Sequence, residues 1–373
     1  MKPVSLLSVK YHDHTVGTLS LTPDNRLCTF EYDKAWLLDG FSISPLELPL
    51  KPGIFIGKPT PFNGNFGIFE DCLPDGYGKY LLHKALLREG VNDYDLSALD
   101  RLSIVGSNGM GALTFSPVNQ ILTGNEICDF DSLQAKALEV LRERQDDDAS
   151  LLLFKSGNSG GARPKAIFSD SEGHWLVKFR HTYDPEDMGV QENRYNEIAR
   201  ECGITVPDFK LINGKYFASR RFDLSPTGER IHTATAGGLL CISLSMPVLD
   251  YCNLLSLTGW LTQNTADVEE MYRRMVFNYL TDNKDDHCKN FSFILEDDNH
   301  ATRHWRLSPA YDLTLCTEGY NGEHATSVNG TGQPRIADFL AAGKRIKMSE
   351  PRCRQIIEEV AAKCSEITRY KLR

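Results

Sequence analysis

The chain of 373 residues has no run approaching the roughly 18 consecutive apolar residues that a membrane-spanning helix needs. Its first apolar stretch, Val4 to Val9, is interrupted by serine and is too short for the core of a secretory signal. Basic residues are in deficit, 41 Lys and Arg against 50 Asp and Glu. The resulting formal charge of -9 disfavours a protein that grips nucleic acid through a broad cationic surface of its own. Close cysteine spacings are missing too. The nearest pairs among the ten, Cys241 with Cys252 and Cys353 with Cys364, stand eleven positions apart, so neither a zinc knuckle nor a disulfide framework is written into the chain. There is no internal repeat and no low-complexity tract. These absences predict a cytoplasmic protein with reduced thiols and no membrane contact. With 41% hydrophobic and 24% charged residues the composition is that of a globular protein. At about 100 to 200 residues per domain the length predicts two or three domains.

From Val4 to about Leu50 the pattern is strand-like: Val16, Leu19 and Leu21 surround Gly17, a Pro23-Asp24-Asn25 turn follows, then Phe30 and Tyr32. Tyr80, Leu81, Ala85 and Leu86 recur at helical spacing before Gly90, and a second helix is expected from about Ser132 to Arg144. The acidic run Asp146-Asp147-Asp148 reads as a linker. Beyond it the glycine-rich stretch Gly157 to Gly161, Ala166-Ile167-Phe168, the turn Ser169 to Gly173 and Trp175 to Phe179 read as strand, loop, strand and hairpin. A helix from about Val190 to Cys202 and a hairpin turning at Asn213-Gly214 come next. The rest reads as mainly helical, with helices at Asp267 to Thr281 and at Ser349 to Tyr370, the latter capped by Ser349 with Pro351 in its first turn.

Four segments carry candidate chemistry. In Gly157 to Lys165, small residues let backbone N–H groups approach a polyanion, although such a stretch between strands is commonly no more than a turn, and it lacks the ending of a P-loop. Lys178 lies on the strand Trp175 to Phe179, on the face of Leu176 and opposite Val177 and Phe179. Such a lysine either edges the strand into solvent or reaches phosphates with a helix carboxylate behind it; Glu192 is the candidate carboxylate and Glu197 the alternative. The strongest signal is Asn283-Lys284-Asp285-Asp286-His287-Cys288-Lys289-Asn290 before an apolar strand. The Asp285 to Asn290 spacing is that by which one kinase loop presents a carboxylate to an attacking hydroxyl and an amide oxygen to Mg²⁺. Downstream, Asp312 follows a hydrophobic β segment, where a second metal-binding aspartate would stand. The Asp/His cluster has two other readings. A transition-metal hydrolase would need further ligand spacings that the remaining histidines do not form, and a polar turn with a helix cap explains any one residue but not the ordered set.

Over almost its whole length the chain resembles the HipA family, bacterial toxin-type serine/threonine kinases. The resemblance is carried by Phe66 to Gly76, Val105 to Leu113, Gly160-Gly161-Ala162-Arg163-Pro164-Lys165, Trp175 to Phe179, Arg221-Phe222-Asp223, Asp285 to Ser292 and Pro309-Ala310-Tyr311-Asp312. It implies an α/β (α+β) protein with the two-lobed, protein-kinase-like fold. Residues 1–148 would form a β-rich N-terminal subdomain, 149–224 the kinase N-lobe with glycine-rich loop and hinge, and 225–373 a helical C-lobe whose catalytic loop faces the nucleotide across a cleft. The implied activity is ATP- and Mg²⁺-dependent phosphorylation of a protein serine or threonine by the toxin of a type II toxin–antitoxin system, with a cytosolic, translation-related substrate. Asp285 would be the catalytic base, Asn290 and Asp312 the Mg²⁺ ligands, and Glu192 the helix glutamate for Lys178. ATP would be bound by Gly160, Gly161, Ala162, Arg163, Lys165, Lys178, the hinge Arg220, Arg221 and Phe222, and His287, Lys289 and Tyr311. Arg220 departs from the acidic residue common at the head of the family's hinge. The family autophosphorylates a serine of the glycine-rich loop and so switches itself off. Asn158 stands at that position, leaving Ser159 and Ser156 as the candidate acceptors. The implied partner is a small HipB-like helix-turn-helix antitoxin that supplies the DNA contact this acidic chain lacks. The alternative is a kinase-shaped co-repressor of that antitoxin with little transfer activity.

Overall fold

The computed structural model describes residues 2–119, 129–143, 148–157, 160–246, 248–298 and 302–369. They form two compact units, residues 1–189 with 211–234, and residues 190–210 with 235–373.

The first unit opens on a five-stranded antiparallel sheet in the order β4-β3-β2-β1-β5, built from β1 (Leu6–Tyr11), β2 (His14–Leu21), β3 (Cys28–Tyr32), β4 (Ile54–Ile56) and β5 (Leu113–Ser116). Period-two burial puts Leu7, Val9, Leu19 and Phe30 in the core. Gly17 is glycine because a Cβ there would collide with the Glu31 carbonyl and the Phe30 ring. The stretch read as purely β also holds a short helix, α1 (Trp36–Asp39), whose Trp36 indole N–H donates to the Phe41 carbonyl at 2.9 Å.

Helices α2 (Gly67–Glu70), α3 (Gly76–Arg88), α4 (Ala98–Val105), α5 (Phe130–Leu141) and α6 (Ala149–Ser156) follow in chain order. The last of them corrects the expected strand before the glycine-rich loop. The run Leu151-Leu152-Leu153-Phe154 looks strand-like, but Ala149, Leu152, Leu153 and Ser156 recur on one helical face, are buried, and end at Gly157 in the left-handed conformation. Beyond α6 come β6 (Lys165–Asp170), β7 (Gly173–Lys178), β8 (Phe209–Ile212) and β9 (Tyr216–Arg220), in the sheet order β6-β7-β9-β8. One core joins these pieces. Tyr77, Leu81 and Leu86 of α3, Leu133 and Ala137 of α5, and Leu152 and Leu153 of α6 pack with Trp175, Val177, Phe179, Tyr216 and Ala218. The glycine-rich loop therefore hangs between a helix and a strand that share one hydrophobic interior.

The second unit contains most of α7 (Met188–Glu201), then α8 (Ala236–Leu240), α9 (Tyr251–Thr262), α10 (Thr265–Leu280), α11 (Ile336–Arg345) and α12 (Glu350–Lys363), with the short strand β10 (Thr233–Thr235) leading into it. The antiparallel hairpin of β11 (Ser292–Asp298) and β12 (Thr302–Leu307) interrupts the helices. α12 starts where Ser349 and Pro351 place it, but Ser349 makes no side-chain cap bond and the helix ends at Lys363, short of the expected Tyr370.

Within the first unit His232 is buried, and its Nε2–H donates to the Ile43 carbonyl at 2.9 Å. Burial lowers its pKa from 6.5 to about 4. The folded state thus binds its proton later than the unfolded one, so His232 contributes stability above pH 6.5 that is lost as the pH falls toward 4. The loss should reach about 3 kcal/mol. Urea midpoints measured from pH 7 to 4 should fall in wild type and fall much less in His232→Gln; parallel profiles would refute the assignment.

Candidate functional site

The first unit holds the glycine-rich stretch, Lys165, Lys178 and Arg220 to Phe222, the residues expected from the sequence to meet a nucleotide. β6 and β7 pair so that Lys165 stands opposite Lys178, two cations on one face while Trp175 and Val177 fill the core on the other. Like charges set opposite each other across two strands repel. The arrangement suits a polyanion that both can share. Lys165 is buried and its Nζ donates to the Gly160 carbonyl; Lys178 Nζ stands 5.8 Å from the centre of the Phe217 ring. Gly161 is fixed by the start of α3, its N–H donating to Asp75 Oδ1 at 2.5 Å and its carbonyl accepting from Tyr77 N at 3.0 Å. Arg163 is committed elsewhere, in a bidentate pair with the buried Asp184 at 2.9 and 3.0 Å. Of the two candidate phosphoacceptors, Ser159 lies outside the described residues. Ser156 is buried in α6, its Oγ donating to the Leu153 carbonyl at 2.9 Å.

At the expected hinge, Arg220 lays its guanidinium 5.3 Å from the Trp175 ring centre, and Arg221 N donates to the His174 carbonyl, so the segment continues β9. The Arg221 side chain makes a bidentate pair with Asp223 at 2.9 and 2.6 Å. Burial alone would push the Asp223 carboxyl up, but Arg221 and the Gly111 N–H, 3.0 Å away, hold it below the usual range. Arg230 then donates to the carbonyls of Ser107, Gly109 and Gly111, so the glycine-rich turn after α4 is strapped to the hinge segment by charged side chains.

The second unit holds the candidate catalytic loop, Asp285 to Asn290. Asn290 Nδ2 donates to the Asp285 carbonyl at 2.7 Å, closing the loop on itself and turning Oδ1 of the amide to the other side. The Asp285 side chain is half-exposed, with His287 Nε2 at 3.9 Å. Behind it, Asp286 is buried, accepting from Tyr251 Oη, His324 Nδ1 and Thr326 N at 2.9, 3.0 and 3.2 Å. Tyr311 Oη donates to the Lys289 carbonyl at 2.6 Å and meets Ser292 Oγ, tying the Pro309–Asp312 segment to the loop. Asp312 adopts φ +55°, a left-handed conformation that aspartate tolerates, and Asn283 Nδ2 reaches its carbonyl at 3.5 Å. No group of three or more His, Cys, Asp or Glu has metal-holding geometry among the described residues. The sequence-based Mg²⁺ ligands, Asn290 and Asp312, are an amide oxygen and a carboxylate. That hard-oxygen pair suits Mg²⁺, which takes few protein ligands and completes its shell with phosphate and water.

Glu192 and Glu197 lie on α7 in quite different settings. Glu192 is buried, whereas Glu197 is half-buried and engaged with Asn193 at 2.9 Å and Arg194 at 3.2 Å, which leaves Glu192 as the side chain set into the interior. Sequence reasoning passed over Asp75, Asp223, Arg230, Asp286 and His324. Asp75 and Asp223 stand inside motifs already quoted, and Asp286 stands beside the candidate base; His324 gave no signal, because its partner is 38 residues away.

Two family descriptions match the chain: HipA N-terminal domain over residues 7–116 and HipA-like C-terminal domain over residues 157–367. A Sinorhizobium fredii protein named "Putative kinase Y4dM" is 27% identical over 365 residues, covering 90% of this chain and 83% of that protein. A Haemophilus influenzae protein named "Putative kinase" is 26% identical over 164 residues, 39% of this chain and 46% of that one. Among solved structures, the Shewanella oneidensis MR-1 toxin–antitoxin complex of HipA, HipB and operator DNA contains a chain that superposes with a TM-score of 0.70 at 18% identity, covering 97% of this chain and 90% of that one. No helix among the described residues is long and apolar enough to cross a membrane.

Proposed function

Because the chain belongs to the HipA family, we propose that it is an ATP- and Mg²⁺-dependent protein serine/threonine kinase, the toxin of a type II toxin–antitoxin pair. The observation that carries this reading is the loop closed by Asn290 Nδ2 on the Asp285 carbonyl, which commits the amide nitrogen and turns the amide oxygen the other way. In this reading Lys165 and Lys178 orient the nucleotide phosphates, and the backbone of Arg220 to Phe222 receives adenine. Asn290 and Asp312 would hold Mg²⁺, which supplies charge neutralisation at the phosphates when bound. Asp285 accepts the proton of the substrate hydroxyl at its carboxylate. Catalysis by such a set is positioning and electrostatics.

The partner we assign is a HipB-like helix-turn-helix antitoxin, the kind of protein that the Shewanella relative is bound to together with operator DNA. A chain with a charge of -9 would touch DNA through that partner. The test is transfer from labelled ATP into a cell extract, with and without a chelator. Label on a serine or threonine of a defined extract protein, abolished by chelation, is expected. Nucleotide binding without any transfer would replace this reading with that of a kinase-shaped co-repressor.

A further inference from the structure

The geometry points to Asp75 as a positioning residue for the nucleotide phosphates: a carboxylate supplied by the N-terminal segment that sets the backbone of the glycine-rich loop. The inference rests on the kinase reading and assigns the N-terminal region a part in the nucleotide site itself.

Asp75 occupies the N-cap position of α3 with extended backbone, φ −122° and ψ 177°, where an aspartate ordinarily accepts from an N–H of its own helix. It makes no such bond. Its Oδ1 instead takes the N–H of Gly161, 86 residues along the chain, at 2.5 Å. The next two residues complete the grip. Gly76 has φ +43°, and a Cβ there would stand 2.5 Å from the Gly161 carbonyl oxygen, so only glycine lets the two backbones come this close. Tyr77 N then donates to that same carbonyl at 3.0 Å, while its ring is buried in the shared core. Gly160 is hemmed in as well. A Cβ on it would lie 3.0 and 3.1 Å from the two Asp75 carboxylate oxygens, and its carbonyl is held from the other side by Lys165 Nζ.

Both backbone polar groups of Gly161 are thus taken by α3, and the peptide joining it to Gly160 is fixed between Asp75 and Lys165. A backbone phosphate cradle works only when its N–H groups are held in one direction before the ligand arrives. Asp75 does this by directing one carboxylate oxygen at the Gly161 N–H. The opposite role, a carboxylate sitting where a phosphate should go, predicts the opposite sign in the experiment.

The test uses the full chain with Asp75→Ala, Asp75→Asn and, as control, Asp100→Asn. Asp100 accepts from Val4 N and forms the capping box of α4, so its loss loosens the same region without touching the loop. Three quantities are read: ATP affinity by calorimetry, KM and kcat for ATP, and amide exchange of the 157–165 peptide without nucleotide. Asp75→Ala should raise KM and Kd for ATP about 10-fold, the loss of one charge-assisted hydrogen bond, with kcat changed by no more than about twofold. Exchange at Gly161 should speed up, and Asp75→Asn, which keeps an oxygen acceptor, should restore most of both. Unchanged or tighter ATP binding in Asp75→Ala overturns the proposal, as does an equal loss in Asp100→Asn. A wild-type chain that binds no ATP at all would overturn the kinase reading and this role with it; faster Gly161 exchange in Asp75→Ala would then show that the grip exists but serves another ligand.

Discussion

Asp285→Asn should reduce phosphate transfer by about a thousand-fold or more while leaving ATP affinity and melting temperature close to wild type. The side chain is about half exposed, with His287 Nε2 3.9 Å away, and a carboxylate this open to solvent carries little folding energy in its charge. The bond that shapes the loop, Asn290 Nδ2 to the Asp285 carbonyl, uses the backbone of residue 285 and survives the substitution. What the change removes is the acceptor for the hydroxyl proton, a group that matters in the transition state and not in nucleotide binding. The expected signature is therefore a loss confined to kcat. Single-turnover rates and calorimetric ATP affinity on one preparation separate the two quantities. A mutant with near-normal turnover would remove Asp285 from the mechanism and with it the kinase assignment of the loop.

Much of this was legible because the informative residues are local in sequence. The alternation at Leu7, Val9, Val16 and Leu19, the Asn213-Gly214 turn, and the helical spacing of Val268, Met271 and Met275 each report a structure decided within a few residues. The Asp285 to Asn290 spacing belongs to the same class, since one short loop positions both side chains. Where reading failed, local patterns were ambiguous or the deciding contact was distant. Four apolar residues in a row at Leu151 to Phe154 fit a strand as well as a helix, and burial against α3 makes them helical. Asp75 looks like an ordinary helix cap until Gly161 comes within 2.5 Å of it. Arg221 and Arg230 are engaged within the first unit, one by Asp223 and the other by three carbonyls, none of them adjacent to Arg230 in sequence. Charge is visible in a sequence, but the partner that occupies it is not.

Asp286→Ala, one residue from the candidate base, should behave in the opposite way and cost about 4 kcal/mol of stability. Its carboxylate is fully buried and accepts three hydrogen bonds, from Tyr251 Oη at 2.9 Å, His324 Nδ1 at 3.0 Å and Thr326 N at 3.2 Å. The donors come from two distant stretches of chain, so this one side chain fastens the loop to α9 and to two positions of the segment after Asp312. The donors are fixed in turn. Tyr251 accepts from Asn278 Nδ2 at 2.9 Å, and His324 stacks on Tyr279 with ring centres 3.7 Å apart and planes 13° from parallel. Burial, with the Asp286 charge beside it, raises the Tyr251 pKa well above its usual value, so the phenol stays a donor at every physiological pH. Alanine would strand all three donors in an interior that offers them no replacement and would leave a void beside them. Asp286→Asn should cost about half as much, because an amide oxygen in the Oδ2 position still serves Tyr251 and His324 while the amide hydrogens face Thr326 N. Urea unfolding of the two variants beside Asp285→Asn, with Tyr251→Phe and the double mutant to close a cycle, measures the coupling directly. A coupling energy near zero, or an Asp286→Ala protein within about 1 kcal/mol of wild type, would mean that the loop is held by its backbone alone. The expected result instead divides adjacent carboxylates by burial: the half-exposed one carries the chemistry, and the buried one keeps the loop where that chemistry can occur.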